Sequence, residues 1–153
     1  MKKLIITLGL LSTVAFCDIN VNDDMSKFSH PDQFDKIHTV TNDTKGLIFA
    51  FKKESGHGVK EFLATKDENY LTKMNIMYVA DVSAMPTIIQ WFALPSLKDY
   101  AFPIVVFNND ELSKKYKNEQ KIEKIMLVIL KDKIVQDVKY FDNTKQLEVE
   151  LNK

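Results

Sequence analysis

Arginine is absent from this chain, and cysteine, glycine and proline are scarce. All 21 basic residues are lysines, so no planar guanidinium can grip phosphate or guanine through two parallel hydrogen bonds. The formal net charge at pH 7 is zero, and no excess of positive charge attracts a polyanion. These absences exclude the usual means of nucleic-acid recognition, and the sequence predicts no nucleic-acid partner.

The single cysteine, Cys17, limits the chemistry of the chain further. A disulfide or a redox dithiol needs two thiols, so the chain can form neither within itself. Only four glycines and four prolines occur among the 153 residues, which favours long regular elements. The length suits one domain built around one core.

An export signal is predicted for residues 1–17. Two lysines follow the initial methionine, an apolar stretch covers residues 4–14, and small residues precede a polar segment that opens at Asp18. This three-part pattern is typical of a secretory signal, and the apolar stretch is short for a membrane span. Cleavage after Ala15 or after Cys17 fits the preference for small residues. The pattern predicts a periplasmic protein with no stable membrane insertion after cleavage.

Two alternatives keep the N-terminus at the membrane. Cys17 could be the lipidated first residue of a lipoprotein, although Phe16 stands where such signals carry a small residue. The signal could also stay uncleaved as an anchor.

Beyond the export signal, residues 18–35 are polar and without periodicity, which predicts a flexible N-terminal arm. Residues 36–153 are expected to form the folded domain.

Alternation and apolar runs predict a mixed α/β domain. The continuous apolar run at residues 47–51 indicates a strand covered on both faces. Residues 52–58, with two glycines, are expected to form a loop before a helix with apolar spacing over residues 59–74. A turn at residues 131–133 between two β-rich runs predicts a hairpin. The remaining predicted elements are strands at residues 37–41, 76–82 and 102–107, a helix starting at Met85-Pro86, and a last helix capped by Asn143 or Thr144.

This order of elements resembles the thioredoxin-like superfamily over residues 37–152. Residues 47–51 correspond to the central strand of that family, which precedes its active-site loop, and residues 75–82 to its next strand. The hairpin and the helix at residues 147–151 are similar to the family's closing elements. The resemblance implies a three-layer sandwich: a mixed central sheet with flanking helices, in which a βαβ unit is followed by a hairpin and a C-terminal helix. Residues 102–107 and the charged loop after them would be an insertion.

Two hallmarks of the redox enzymes in that family are missing. The family's Cys-x-x-Cys site falls on residues 54–57, which read Glu-Ser-Gly-His, and the family's cis-proline falls near Ile125. A dithiol needs an activated thiolate, which a serine hydroxyl cannot replace. The resemblance therefore implies the fold without thiol-disulfide oxidoreductase activity, without a catalytic residue carried over and without a cofactor. It favours an exported, non-catalytic protein that binds a protein or peptide partner in the cell envelope.

The alternative is an exported small enzyme or metal-binding protein that uses His57. This histidine lies between two glycines, and Glu54, Ser55 and Asp81 could join it in a loop site. The competing interpretations are an exposed loop histidine and an aspartate that caps a loop. The three histidines of the chain show no ligand spacing, so no metal site is predicted.

Apolar residues are concentrated between residues 85 and 107. Met85, Trp91, Phe92 and Tyr100 lie in this short segment. A helix that is apolar nearly all round indicates burial in the core. The same residue types are favoured at interfaces, so the alternative is a groove for a partner protein or peptide.

Overall fold

The computed structural model describes residues 18–153, and the predicted export signal with Cys17 lies outside them. This part of the chain contains seven strands and five α-helices, and a 3₁₀ helix at Leu97–Asp99 follows the third α-helix. The strands are β1 (Ser29–Pro31), β2 (Ile37–Thr39), β3 (Gly46–Ala50), β4 (Ile76–Asp81), β5 (Val105–Phe107), β6 (Ile125–Lys131) and β7 (Ile134–Phe141). The helices are α1 (Lys53–Ala64), α2 (Tyr70–Lys73), α3 (Thr87–Ser96), α4 (Asp110–Ser113) and α5 (Thr144–Leu151).

A five-stranded mixed sheet forms the centre, in the order β5-β4-β3-β6-β7. β3 pairs parallel with β4 and antiparallel with β6, so it has neighbours on both edges. All five of its residues are buried, which confirms the prediction of a strand covered on both faces. β5, expected within an insertion, extends the sheet by pairing parallel with β4 at its edge.

The closing elements agree with their sequence signals. β6 and β7 form the predicted hairpin, and Asp132 and Lys133 both have positive φ, as a tight hairpin turn requires. Asn143 caps α5 because its side-chain Oδ1 accepts the N–H of Gln146 at 3.1 Å. The predicted helix over residues 59–74 is divided into α1 and α2 by a turn at residues 65–69.

Different layers cover the two faces of the sheet. On one face, Val59 and Leu63 of α1 and Leu147 of α5 pack on Ile48 and Tyr78. The opposite face carries a separate apolar cluster, in which the sheet is covered by residues 18–40 and by the chain that follows β5. No helix among residues 18–153 combines the length and apolar character needed to cross a membrane.

The structure differs from the predicted flexible arm at residues 18–35. Ile19, Met25 and Phe28 are buried in the second cluster, and β1 pairs with β2. The N–H of Asn22 donates to the carbonyl of Val135 at 2.8 Å, which holds this segment along β7. The buried side chains are too far apart in sequence to show a helical or strand period, so the polar composition alone suggested mobility.

α1 begins six residues earlier than predicted, at Lys53 rather than Val59. Residues 53–58, expected in a loop because of Gly56 and Gly58, form its first turns. Glycine has low intrinsic helix propensity, but the packing of Ser55 and Val59 against the sheet overrides it.

Substitution by alanine is expected to have opposite effects on stability at Gly58 and at Gly46. A Cβ on Gly58 would meet its nearest atom, the Cγ2 of Thr144, at 4.0 Å, which is ordinary contact. Gly58→Ala is therefore expected to raise the free energy of unfolding by about 0.5–1 kcal/mol. A Cβ on Gly46 would lie 3.0 Å from the carbonyl oxygen of Val128. Gly46→Ala is therefore expected to lower the free energy of unfolding by about 1–3 kcal/mol. Urea denaturation of the two variants checks both signs, and a Gly58→Ala protein less stable than wild type would contradict the helical assignment.

Candidate functional site

A cleft of about 590 Å³ lies between α1 and α3. It opens where the parallel strands β3 and β4 end, the edge at which open α/β sheets bind ligands. Ala80 and Leu97 line it together with residues from the start of α1 and from α3. This α1–α3 cleft contains Glu54, His57, Asp81 and Met85 of the residues singled out in the sequence.

The first turns of α1 place the predicted polar residues differently from a loop. Glu54 and His57 are exposed and face the cleft. Ser55 is buried, and its hydroxyl donates to the carbonyl of Lys52 at 3.1 Å. Ser55 thus satisfies the helix backbone and does not line the cleft.

Asp81 ends β4 with both carboxylate oxygens occupied. Its Oδ1 accepts the N–H of Ser83 at 2.8 Å, and its Oδ2 accepts the hydroxyl of the fully buried Ser113. These bonds fix the loop after β4 and tie α4 to the sheet. The arrangement is that of a capping aspartate rather than a free general base.

The histidines lie in three different environments. His57 is exposed, and the Nε2 of His38 lies 2.7 Å from Oδ2 of Asp32. His30 is packed edge-on against Phe28 and Phe107, with ring centroids 4.8 and 5.0 Å away. Within residues 18–153, no three histidine, aspartate or glutamate side chains converge closely enough to hold a metal ion.

His30 is expected to make the free energy of unfolding depend on pH. Burial, and secondarily the charge of Lys115, lowers the pKa of His30, and its Nε2 has no hydrogen-bond partner. The folded state therefore favours the neutral imidazole, whereas the unfolded chain takes up a proton below about pH 6.5. Because the unfolded state then binds more protons, the free energy of unfolding is expected to fall as the pH drops from neutrality to about 5.

A variant isolates this contribution. His30→Phe is expected to reduce the pH dependence of the free energy of unfolding, measured by urea denaturation, relative to the wild-type protein. Equal slopes for His30→Phe and wild type would show that His30 does not carry the effect.

α3 differs from the core helix that its composition indicated. None of its residues is buried, and four large apolar side chains are at least half exposed. We call this set the α3 surface: Ile88 (65% exposed), Ile89 (50%), Trp91 (73%) and Phe92 (76%). Exposed apolar groups concentrated in this way mark interaction sites in soluble proteins.

The four predicted groove residues are only partly brought together. Met85 lies in the α1–α3 cleft, and Trp91 and Phe92 lie on the adjoining helix outside its lining. Tyr100 is half-buried beyond the 3₁₀ helix, where its ring centroid lies 5.5 Å from the amine of Lys60. Lys60 itself lines the cleft.

Sequence reasoning did not single out Lys60, although a usable signal was present. Lys53, Gly56, His57 and Lys60 follow the i, i+3, i+4, i+7 spacing of one helix face. Because the two glycines favour a loop over residues 52–58, the sequence does not reveal this spacing as one face of a helix.

No protein-family model and no curated protein matches the sequence. Solved structures do match in shape. The thioredoxin domain of a thiol-disulfide oxidoreductase from Bacteroides vulgatus superposes with a TM-score of 0.51 at 12% identity, covering 88% of this chain and 100% of that chain. StoA from Bacillus subtilis superposes with a TM-score of 0.54 at 16% identity, covering 82% of this chain and 96% of that chain. A peroxiredoxin-like protein from Aquifex aeolicus superposes with a TM-score of 0.51 at 13% identity, covering 88% of this chain and 87% of that chain.

The chain has a thioredoxin-like fold. The five-stranded mixed sheet with flanking helices confirms the predicted fold class. At these identities the likeness concerns the fold alone. The resemblance places the redox site of the thioredoxin-like family at residues 54–57, which the structure puts in the first turns of α1 beside the cleft. No cysteine follows Cys17, so this position holds no thiol.

Proposed function

We propose that this chain is an exported thioredoxin-like protein without thiol chemistry, which binds a protein or peptide partner through the α3 surface and the α1–α3 cleft. The observation that carries the proposal is the exposure of all four large apolar side chains of the α3 surface beside an open cleft. Burying such a side chain contributes about 1.5–3 kcal/mol, so a partner that covers α3 gains substantial free energy.

The absence of a second cysteine supports a non-catalytic role. Reduction of a disulfide by the thioredoxin route needs an attacking thiolate and a second thiol to resolve the mixed disulfide. The chain has one cysteine, at the end of its predicted export signal. In a disulfide-reduction assay the protein is therefore expected to show no turnover above background.

Export to the periplasm rests on the pattern of residues 1–17. A basic start, a short apolar stretch and small residues precede Asp18. A lipid anchor on Cys17 or an uncleaved signal would instead hold the same domain at the membrane.

Trp91 allows a direct test of peptide binding. It is the only tryptophan of the chain and is 73% exposed, so its fluorescence reports on the α3 surface alone. Short synthetic peptides containing leucine, isoleucine and phenylalanine are expected to shift the Trp91 emission to shorter wavelength with saturation. Fully polar peptides of the same length serve as the control. An emission spectrum unchanged by every apolar peptide would refute the proposed function.

A further inference from the structure

The two walls of the α1–α3 cleft differ in chemistry. The α1 wall carries Lys53, His57 and Lys60, which lie on one face of the helix. The α3 wall carries Ile89 and Ala93. A ligand that contacts both walls at once therefore needs an anionic group on one side and an apolar group on the other.

Lys60 is a partly buried cation on the α1 wall of this cleft. Its amine lies 5.5 Å from the ring centroid of Tyr100, within the range of a cation–π contact. Among residues 18–153, no carboxylate lies within ion-pairing distance of Lys60 or of Lys53, whereas Lys52 at the rim lies 4.0 Å from Glu123. Burial lowers the pKa of Lys60, only partly offset by the neighbouring Glu61. An anion brought to this amine would offset the cost of its desolvation.

The acidic residues that line the cleft do not supply the anion that would pair with Lys60. Both carboxylate oxygens of Asp81 already accept hydrogen bonds, one from the N–H of Ser83 and one from the hydroxyl of Ser113. Glu54 is exposed and forms no ion pair within the described residues. The cleft therefore presents more available positive than negative charge to an incoming ligand.

Resting on the peptide-binding function above, we propose that the α1–α3 cleft selects peptide segments in which an aspartate or glutamate side chain neighbours large apolar side chains. The acidic side chain pairs with Lys60, and the apolar side chains cover Ile89, which lines the cleft, and Phe92 one turn along the same helix. Charge complementarity on the α1 wall gives the selectivity, and apolar burial on the α3 wall gives most of the affinity.

A matched peptide set tests this selectivity. The peptides share one apolar sequence, are amidated at the C-terminus, and differ only in carrying glutamate, glutamine or lysine at one position. Their affinities are measured by isothermal calorimetry at low salt. The glutamate peptide is expected to bind about three- to tenfold more tightly than the glutamine peptide, between the effects of an exposed ion pair and a charge-assisted hydrogen bond. The lysine peptide is expected to bind least tightly.

Lys60→Met should abolish the preference for glutamate, since methionine keeps the apolar stem without the charge. Lys145→Met is the matched control, because Lys145 is an exposed helical lysine outside the cleft. It is expected to keep the preference. The peptide comparison on the unaltered protein decides the question even if the Lys60 variant fails to fold.

The outcomes separate this proposal from the proposed function. Equal affinity for the glutamate and glutamine peptides overturns the acidic selectivity and leaves apolar peptide binding intact. A preference that appears only when the C-terminal amide is replaced by a free carboxylate also overturns it, because the anion is then the chain end. If none of the peptides binds, the proposed function fails together with this inference.

Discussion

Phe28→Ala is expected to lower the free energy of unfolding by about 3–5 kcal/mol, the usual cost of removing a buried phenylalanine ring. Phe28 is only 1% exposed. Its ring packs edge-on against Phe49 and Tyr116, with centroids 6.3 and 5.8 Å away. These contacts attach the segment before β1 to the central strand of the sheet, so the truncation leaves a cavity between them. Urea denaturation followed by far-ultraviolet circular dichroism measures the loss.

Phe34→Ala is the matched control for this result. Phe34 also lies within residues 18–35, but its side chain is 51% exposed. Its backbone N–H, which donates to Oδ1 of Asp32 at 2.8 Å, is retained in the variant. The control is expected to change the free energy of unfolding by no more than about 0.5 kcal/mol. Similar small losses for both variants would mean that residues 18–35 are the mobile arm that their composition suggests.

The second large effect is expected on binding. Trp91→Ala combined with Phe92→Ala should weaken apolar peptide binding by about 30-fold or more, because even one aromatic anchor at an interface contributes about 2 kcal/mol or more. Both side chains are over 70% exposed, so the free energy of unfolding should stay within about 1 kcal/mol of wild type. Isothermal calorimetry measures the affinity, since the double variant has no tryptophan to report on.

Val149→Ala is the control for lost exposed apolar area. Val149 lies on α5, is 64% exposed and is not part of the cleft. It is expected to leave peptide affinity unchanged. If the double variant binds the peptide as tightly as the wild-type protein, the peptide does not bind at α3.

The elements predicted correctly are those with strong local signals. The apolar run of β3, the turn residues Asp132 and Lys133, and the side-chain cap at Asn143 each encode their structure within a few residues. The packing of residues 18–35 could not be predicted in this way. Its buried side chains make contacts with strands far away in sequence, which no local period records.

The candidate site was predicted only in part, for physical reasons at two helices. The low helix propensity of Gly56 and Gly58 concealed the start of α1, and with it the cleft-facing position of Lys60. An all-round apolar composition normally indicates burial, yet no residue of α3 is buried. Exposure of this kind depends on what packs against a helix, and the helix sequence alone does not contain that information.

Amide chemical-shift mapping of the peptide complex tests the central claim most directly. The labelled protein is titrated with the glutamate-containing apolar peptide, and shift changes are recorded for each backbone amide. The changes are expected to concentrate in the first turns of α1 and in α3, on both sides of the cleft. Changes confined to the β1–β2 hairpin or to α5, with α1 and α3 unaffected, would contradict the account.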